Sequence, residues 1–512
     1  MIKLLSENYF RKISISLARG NIKQLRAIAG MLINGKKIYR WTGTSKTFAA
    51  AGDFFLPLEN SLDPATLNNA IQLDKHDIPL LELMSAPQGA LLWDQSFIWG
   101  LIAYEAMVSL GFNIHLITSQ DIINGRLKEF DCLCVPGGWA SQKSRSLGNE
   151  GKKIIRDFVR AGGTYLGFCG GAGFALNVPE GLGLLPVSRQ NSKIRLPNFS
   201  GPVKANLVSD HSSLGLGLGK NPIFHVWWPS QFYFEDKNKI NILATYGKPE
   251  NDFYVADLNV ADINFSGIPW KLWESRYGIK LSPDSLKGEP AIISSTFGKG
   301  TVIASYFHLE TPGDRDGNLA LFNLWHQISV SKTLIKTDSF TAKTHSQMPK
   351  TVLDNVQAGL DSMTQIINLG ERAFLWSWRN DWLLKWKRKV RGLEFCSLYI
   401  LIKGVEKRIS HCVEFGCLKN STCPGCQQIE NLIIAAGPVF DKFINFSYPL
   451  IMNYLFLCNF DEKDNSNNSV IKKNKHLEKK LFGRDRSGGG LYFEMIQQIS
   501  DILYVLLSSQ NH

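Results

Sequence analysis

The residues most suggestive of chemistry lie in the segment GTYLGFCGGAGFAL, residues 163–176, where Cys169 follows a short apolar run. A strand that turns sharply into a helix here would present the thiol to solvent. Gly167, Gly170 and Gly171 are the small neighbours that such a turn needs. A helix beginning after Cys169 would also point its positive end at the sulfur and favour the thiolate. The pattern predicts a nucleophile; the alternative is a buried thiol in a glycine-rich turn.

A cysteine nucleophile needs a base, and an imidazole base needs a carboxylate to orient it. The segment SYFHLE, residues 305–310, contains both groups as His308 and Glu310 at the end of a predicted strand. Side chains two residues apart share one face of a strand, so Glu310 is expected beside His308. These residues predict a Cys–His–Glu arrangement.

An acyl-transfer site also needs hydrogen-bond donors for the developing oxyanion. The segment CVPGGWAS, residues 134–141, places Gly137 and Gly138 after a second apolar run. Their backbone N–H groups are the candidate donors. The Pro-Gly-Gly sequence alone would more often be a simple turn, but it lies one strand–helix unit before Cys169.

The elements that position these residues alternate between strands and helices from residue 89 onward. Apolar runs in GALLWD, FNIHLIT, FDCLCVPGG and TYLGF alternate with the helical patterns SFIWGLIAYEAMVSLG and NEGKKIIRDFVRAGG. This alternation is typical of an open parallel sheet with helices on both faces. Its functional crevice lies at the carboxyl ends of the strands, where Cys169 and the Gly137–Gly138 pair are expected.

The rest of the chain divides by pattern. Residues 200–330 are strand-rich, with a hairpin expected at 298–300. We predict an α/β, flavodoxin-like domain with an open, mostly parallel sheet and a strand-rich second half, followed by a mainly helical C-terminal region. The predicted segments are 1–85 (fold unclear), 86–330 (the α/β domain), 331–350 (a linker) and 351–512 (helical and basic, with the polar stretch 461–475 expected to be a loop).

The order VPGG, GFCGG and FHLE resembles class I glutamine amidotransferase-like domains. The stretch VPGGWASQKSRSLGNEGKKIIRDFVRAGGTYLGFCGGAGFALN and the segment LPNFSGPV look most like the branch found at the N-terminus of biotin–protein ligases and in bacterial relatives. The resemblance covers roughly residues 88–328. It implies Cys169 as nucleophile, His308 as base and Glu310 as its orienting acid, with Gly138 and Gly170 as oxyanion donors.

Two features depart from that resemblance. Members that use glutamine carry G-x-C-x-G-x-Q, and the last position is Gly173 here, so the use of glutamine is not implied. The final motif reads His-Leu-Glu where His-Pro-Glu is commoner. The catalytic module of biotin ligases is not found. The segment FGRDRSGGGLYFEM, residues 482–495, is only superficially similar to the glycine-arginine loop of that module, and we interpret it as a loop before a final helix.

The C-terminal region contains a cysteine cluster, SHCVEFGCLKNSTCPGCQQ. Cys412, Cys417, Cys423 and Cys426 could supply four thiolates to a structural zinc or iron–sulfur site, although unligated loop thiols are the alternative. No cofactor is expected in the amidotransferase-like domain.

The formal net charge is +12, and basic residues are concentrated in 1–40 and 371–410. Within the second block Trp378, Trp382 and Trp386 recur every four residues and predict one face of a helix that docks on its own protein. Binding to nucleic acid or to a membrane surface is the less favoured interpretation. Sparse cysteines and the lack of a signal-like segment or long apolar stretch favour a cytoplasmic protein.

Two functional hypotheses follow. The first is a cysteine-dependent amidotransferase or amidase-like protein acting on a small-molecule amide or acyl substrate. The alternative is a non-catalytic ligand-binding or regulatory module of the same fold, linked to biotin or acyl metabolism. A protein partner could bind through the helical C-terminal region.

Overall fold

The computed structural model describes residues 9–13, 22–58, 70–208, 213–236, 239–330, 345–346, 348–415, 417–418, 426–459, 468–484 and 488–508. Contacts divide the chain into two units. The first comprises Met1–Leu92 and Ile102–Leu334, and the second comprises Trp93–Leu101 and Ile335–His512. The predicted 331–350 linker lies mostly outside the described residues. The predicted division at residue 85 stays a prediction.

The first unit contains the strands β1 to β18. They are β1 Tyr9–Ile13, β2 Tyr39–Trp41, β3 Phe54–Pro57, β4 Ala70–Gln72, β5 Leu81–Leu83, β6 Gln88–Leu92, β7 Asn113–Ile117, β8 Cys132–Val135, β9 Thr164–Phe168, β10 Val187–Arg189, β11 Phe199–Leu207, β12 Ile223–Trp227, β13 Phe232–Phe234, β14 Asn241–Pro249, β15 Tyr254–Val255, β16 Leu258–Asn259, β17 Pro290–Phe297 and β18 Gly300–Ser305.

The helices of the described residues follow in chain order. They are α1 Ile22–Ile33, α2 Phe97–Ser109, α3 Ser119–Ile123, α4 Ala140–Arg160, α5 Gly170–Ala175, α6 Val260–Ser266, α7 Trp270–Tyr277, α8 Arg315–Trp325, α9 Lys350–Arg372, α10 Gly392–Phe415, α11 Cys426–Asn459, α12 Asn468–Phe482 and α13 Gly490–Ser508.

The centre of the first unit is a parallel sheet in the order β7-β6-β8-β9-β18. Counted along the chain, this is the strand order 2-1-3-4-5 of flavodoxin-like folds. Strands β8 and β9 are buried at every position, which explains why they appear in the sequence as continuous apolar runs. The predicted flavodoxin-like α/β fold is confirmed.

Beyond β18 the same sheet continues with antiparallel strands in the order β17-β14-β11-β15-β16, and β12 also pairs with β11. The hairpin predicted at 298–300 joins β17 to β18. Gly298 has a φ of 65° in that turn. The strand-rich second half is therefore an extension of the parallel sheet, and β10 and β13 form a separate antiparallel ribbon.

The N-terminal region, which showed no clear pattern, contains helix α1 and an antiparallel sheet in the order β4-β1-β3-β2-β5. Its core contains Phe10, Trp41 and Phe55, packed with smaller apolar residues. The strands are three to five residues long and interrupted by polar segments, so their periodicity was too short to detect.

The second unit is mainly helical, as expected, with two antiparallel pairs of strands: β19 His345–Ser346 with β22 Cys417–Leu418, and β20 Trp376–Asn380 with β21 Leu383–Trp386. The helix predicted through the tryptophans was wrong. Trp376 pairs with Trp386 across a hairpin, and Trp382 lies in the turn, where its N–H donates to Asn380 Oδ1. Tryptophan favours strands, and the Asn-Asp pair at 380–381 favours a turn.

The polar stretch predicted as a loop, 461–475, is helical from Asn468 in α12, while residues 460–467 lie outside the described residues. A final helix, α13, begins at Gly490 as expected. None of the helices in the described ranges combines the length and the apolar character that crossing a bilayer requires.

Candidate active site

Cys169 occupies the connection between β9 and α5, and its own backbone carries the strain of the turn. Its φ is 48° and its ψ is −104°, a conformation that residues with a side chain rarely adopt. The Cys169 N–H donates to the carbonyl oxygen of Ser305 at 2.8 Å, which ties the turn to the end of β18. Such strain costs roughly 1–3 kcal/mol and is concentrated at functional sites.

The glycines around Cys169 permit close packing and do not themselves carry the unusual φ. A Cβ on Gly170 would lie 1.7 Å from the carbonyl oxygen of Gly138, and one on Gly171 would lie 1.9 Å from that of Val135. Glycine is therefore required at both positions, because the loop after β8 lies directly against the turn. This contact brings the Gly137–Gly138 segment to Cys169, as the sequence predicted.

The thiol of Cys169 is half-buried and faces backbone oxygens. Its Sγ lies 3.6 Å from the carbonyl oxygen of Trp227 and 3.9 Å from that of Trp228. Three other thiols have different surroundings, since Cys132, Cys134 and Cys396 are buried. Burial raises the pKa of Cys132 well above its ordinary value and the pKa of Cys396 to about 12. Among these four thiols, Cys169 alone is open to a substrate.

His308 and Glu310 meet as expected, but in the loop after β18 and not on the strand itself. His308 Nδ1 lies 2.7 Å from Glu310 Oε1, and both side chains are 1% exposed. Strand alternation therefore does not explain the contact. The loop is fixed instead by hydrogen bonds from the His308 N–H to the His225 carbonyl and from Thr311 Oγ1 to the His308 carbonyl, both 2.8 Å long.

The imidazole of His308 strongly favours its protonated form. Burial lowers its pKa, but the charges of Glu310 and Cys169, together with the hydrogen bond to Glu310, raise it to about 10. Because Nδ1 is engaged by Glu310, the ring leaves Nε2 for the thiol. The structure therefore brings all three residues of the predicted Cys–His–Glu arrangement together.

The backbone N–H groups of Gly138 and Gly170 are suitable oxyanion donors. Within the described part of the chain neither has a hydrogen-bond acceptor, and Gly170 is the first residue of α5. Gly138 has a φ of 98°, which turns the backbone between Gly137 and helix α4. Gly137, the third predicted residue, is buried at the base of this turn.

Sequence reasoning missed the contribution of β12, which packs against both Cys169 and the loop that carries His308. His225 Nδ1 lies 2.7 Å from Asp314 Oδ2, and Trp227 Nε1 donates to Thr311 Oγ1 at 2.9 Å. These contacts hold the Trp227 carbonyl against Cys169. The segment FHVWW contains no catalytic motif, and its role follows only from pairing with distant residues.

The four cysteines predicted to bind metal are only partly described. Cys412 is buried on α10, Cys426 is half-buried at the start of α11, and Cys417 contributes backbone to β22. Cys423 lies outside the described residues. No group of three or more His, Cys, Asp or Glu side chains suited to a metal ion occurs among the residues that are described. The metal prediction stays a prediction.

One family model matches part of the chain. Residues 100–180 match the family model "Biotin-protein ligase, N terminal", a range that includes Cys169 and both predicted glycine segments. His308 and Glu310 lie beyond this match. None of the curated proteins compared with the chain matches it.

Solved structures resemble the chain only distantly. A GMP synthase component from Thermoplasma acidophilum is 13% identical with a TM-score of 0.29, covering 46% of this chain and 94% of that one. A ThuA-like protein from Bacteroides uniformis is 13% identical with a TM-score of 0.30, covering 46% and 89%. A β-galactosidase from Rahnella sp. R3 is 16% identical with a TM-score of 0.28, and the likeness covers 46% of this chain and 30% of that one. We draw no conclusion about activity from them. The resemblance to the N-terminal domain of biotin–protein ligases is confirmed over residues 100–180.

Proposed function

We propose that this protein is a cysteine-dependent amidotransferase or amidase-like enzyme in which Cys169 attacks an amide or related acyl substrate. The observation that carries the proposal is the half-buried thiol on a strained turn, beside a buried His308–Glu310 pair whose imidazole is influenced by the charge of Cys169. A structural thiol needs neither the strain nor a buried imidazole and carboxylate beside it.

The chemistry follows from the positions of these groups. The Cys169 thiolate attacks the substrate carbonyl carbon, and the negative charge moves to the carbonyl oxygen, where the N–H groups of Gly138 and Gly170 donate hydrogen bonds. Collapse of this intermediate breaks the bond to the leaving amine, which takes a proton from the His308 imidazolium. The product is a thioester on Cys169 and a free amine or ammonia.

The second half of the reaction releases the acyl group. A water molecule or an acceptor nucleophile gives a proton to the neutral His308 and attacks the thioester, which regenerates the thiolate and the imidazolium. Glu310 holds the His308 ring in place and stabilises the imidazolium.

The proposal is tested first by the pH dependence of Cys169 alkylation. An imidazolium beside the sulfur favours thiolate, so the alkylation rate should approach its plateau at lower pH than that of an ordinary thiol. In His308→Ala the midpoint of the alkylation-rate profile should move up to a pH of about 8.5, where unperturbed thiols ionise. The measurement is mass-spectrometric labelling of the Cys169 peptide with iodoacetamide.

His115→Ala is the matched control, because His115 lies on β7, the edge strand of the parallel sheet three strands from β9. It should leave the profile unchanged. If Cys169 of the parent protein is alkylated like an ordinary thiol and His308→Ala leaves its pH profile unchanged, the protein is instead the non-catalytic binding module of the same fold. An active pair justifies screening amides and thioesters, with Cys169→Ala as the inactive reference.

Further proposals rest on the sequence alone. We propose a structural zinc bound by Cys412, Cys417, Cys423 and Cys426, a protein partner for the helical region, and a cytoplasmic location. Elemental analysis of the purified chain tests the metal: zinc should be present and lost in Cys423→Ser. Its absence from the parent would rule out the site.

A further inference from the structure

Two arginines lie close to the turn that carries Cys169. Arg189, the last residue of β10, is exposed, and Arg195, in the loop that follows, is half-buried. Arg195 Nη1 donates to Ser230 Oγ at 2.8 Å. Among the described residues, no carboxylate pairs with either guanidinium. Two neighbouring positive charges without an acid are typical of a site for an anion.

The protein fixes the backbone that carries both side chains. Arg189 pairs with Phe232 in the β10–β13 ribbon. The buried Gln231 accepts a hydrogen bond from the Gln190 N–H through its carbonyl oxygen at 2.9 Å, and one from the Leu196 N–H through its side-chain oxygen at 2.7 Å. The backbone that carries the two arginines is therefore held in a defined conformation by strand pairing and hydrogen bonds.

The two guanidinium groups also repel one another. Burial and the charge of Arg189 both lower the pKa of Arg195. Holding like charges together is unfavourable, and the attraction of both guanidinium groups to a bound anion would offset this repulsion. The repulsion is therefore consistent with a site that is completed by its ligand.

Tyr306 lies near both the two arginines and the thiol. Its phenol is buried, and the ring stacks on Phe232 with centroids 4.1 Å apart. Burial raises the pKa of Tyr306, Arg189 and Arg195 lower it, and Cys169 raises it further. Arg195 is held near the thiol by geometry as well, because its hydrogen-bond acceptor Ser230 lies two residues after Trp228, whose carbonyl oxygen is 3.9 Å from Cys169 Sγ.

Gly173 brings Arg189 close to the Cys169 turn. It lies one helical turn after Cys169, and its N–H donates to the Cys169 carbonyl at 2.9 Å. A Cβ on Gly173 would lie 3.4 Å from Arg189 Nη2. This distance is an ordinary van der Waals contact, so any side chain at position 173 would lie against the guanidinium. Arg189 therefore lies beside the position that carries glutamine in G-x-C-x-G-x-Q.

We propose that Arg189 and Arg195 bind a carboxylate of the substrate, so that Cys169 acts on an amide or acyl compound that carries a negatively charged group close to its reactive carbonyl. This rests on the function proposed above and narrows its substrate class. Arginine suits the role because its planar guanidinium matches a carboxylate with two parallel hydrogen bonds.

The test compares negatively charged and neutral electrophiles on the same thiol. Cys169 is labelled with iodoacetate and with iodoacetamide, and also with the longer pair 4-iodobutanoate and 4-iodobutanamide. Each acid-to-amide rate ratio is divided by that of 2-mercaptoethanol, an uncharged reference thiol. We expect the acid to be favoured in at least one pair, and R189Q/R195Q to lower that preference about tenfold, the order expected for a lost charge-assisted hydrogen bond.

R276Q/K280Q is the matched control, because it removes two exposed positive charges from the same unit and leaves the site intact. It should retain the preference. If neither pair shows a preference, or if R189Q/R195Q retains it, the proposal is wrong. R189Q alone, which alters an exposed residue, gives the same test should the double variant fold poorly.

The two proposals fail in different ways. The acid-to-amide ratio compares two reagents on one thiolate, so it does not depend on how that thiolate forms. An ordinary pH profile with a strong acid preference would remove the catalytic proposal and keep an anion-binding pocket. An active Cys–His pair without any acid preference would do the reverse.

Discussion

At the residue scale, the site combines features that are each unfavourable for folding. Cys169 adopts a left-handed φ, and a buried carboxylate faces a buried imidazole. Glu310 Oε2 is buried and has no hydrogen-bond partner among the described residues. Such features persist only where the surrounding structure holds them in place. The hydrogen bonds from Cys169 to Ser305 and from His308 to His225 supply that constraint.

The His308–Glu310 pair predicts a specific dependence of stability on pH. The native pKa of His308, about 10, lies above its ordinary value of 6.5. Its contribution to stability is therefore complete below about pH 6.5 and is lost as the pH rises through 10. Glu310→Gln should lower the free energy of unfolding by about 3–5 kcal/mol near pH 6, since it removes one partner of a buried pair. The loss should shrink as the pH approaches 10.

Urea denaturation at several pH values between 6 and 10 measures this difference. Glu150→Gln, an exposed substitution on α4, serves as the control and should change stability by less than about 0.5 kcal/mol at every pH. A deficit in Glu310→Gln that stayed constant from pH 6 to 10 would show that His308 is not charged in the native state.

At the element scale, the site depends on the contact between the loop after β8 and the turn after β9. Gly170 and Gly138 approach so closely that only glycine fits at position 170. Gly170→Ala should displace the loop and distort the turn that presents Cys169, so Cys169 labelling should slow, with a loss of stability of about 1–3 kcal/mol. The measurement is the Cys169 alkylation rate together with thermal denaturation.

Gly30→Ala provides the comparison for that substitution. Gly30 lies in helix α1 with no atom within 4 Å of the added Cβ, so alanine should stabilise the helix by about 0.5–1 kcal/mol and leave labelling unchanged. Equal labelling in the two variants would mean that the loop yields without cost and that the Gly138 position is not fixed by Gly170.

Elements with strong local patterns were predicted from the sequence, and those that depend on distant pairing were not. Strands β8 and β9 were found because they are buried on both faces and therefore wholly apolar. The short strands of the N-terminal sheet gave no such signal. The tryptophans at 376–386 misled because a spacing of four also fits a hairpin whose turn contains one of them.

The same distinction applies to the site. Cys169, His308 and Glu310 were predicted because each lies in a short motif next to a recognisable strand. The proximity of Arg189 to the thiol had no local signal, since it depends on the pairing of β10 with β13, more than forty residues further along the chain. Pairing of this kind is a tertiary feature that periodicity does not encode.

At the scale of the whole molecule, a short segment of the first half of the sequence belongs to the helical unit. Trp93–Leu101 follows β6 directly but groups with Ile335–His512. Trp93 is 2% exposed and its Nε1 donates to the Ser500 carbonyl at 2.9 Å, while Trp99 packs edge-on against Trp382. The helical unit is therefore incomplete without residues that precede the Cys169 motif.

This organisation predicts that Trp93 contributes to the stability of the helical unit. Trp93→Ala should destabilise it by about 3–5 kcal/mol, whereas Trp93→Phe, which keeps a ring but loses the hydrogen bond, should cost about 1 kcal/mol. Chemical denaturation followed by the helical circular-dichroism signal measures both. Ile434→Ala, at a residue 59% exposed, should have little effect. If Trp93→Ala were no more destabilising than Ile434→Ala, the segment would add no packing energy to the helices, and its grouping with them would have no energetic meaning.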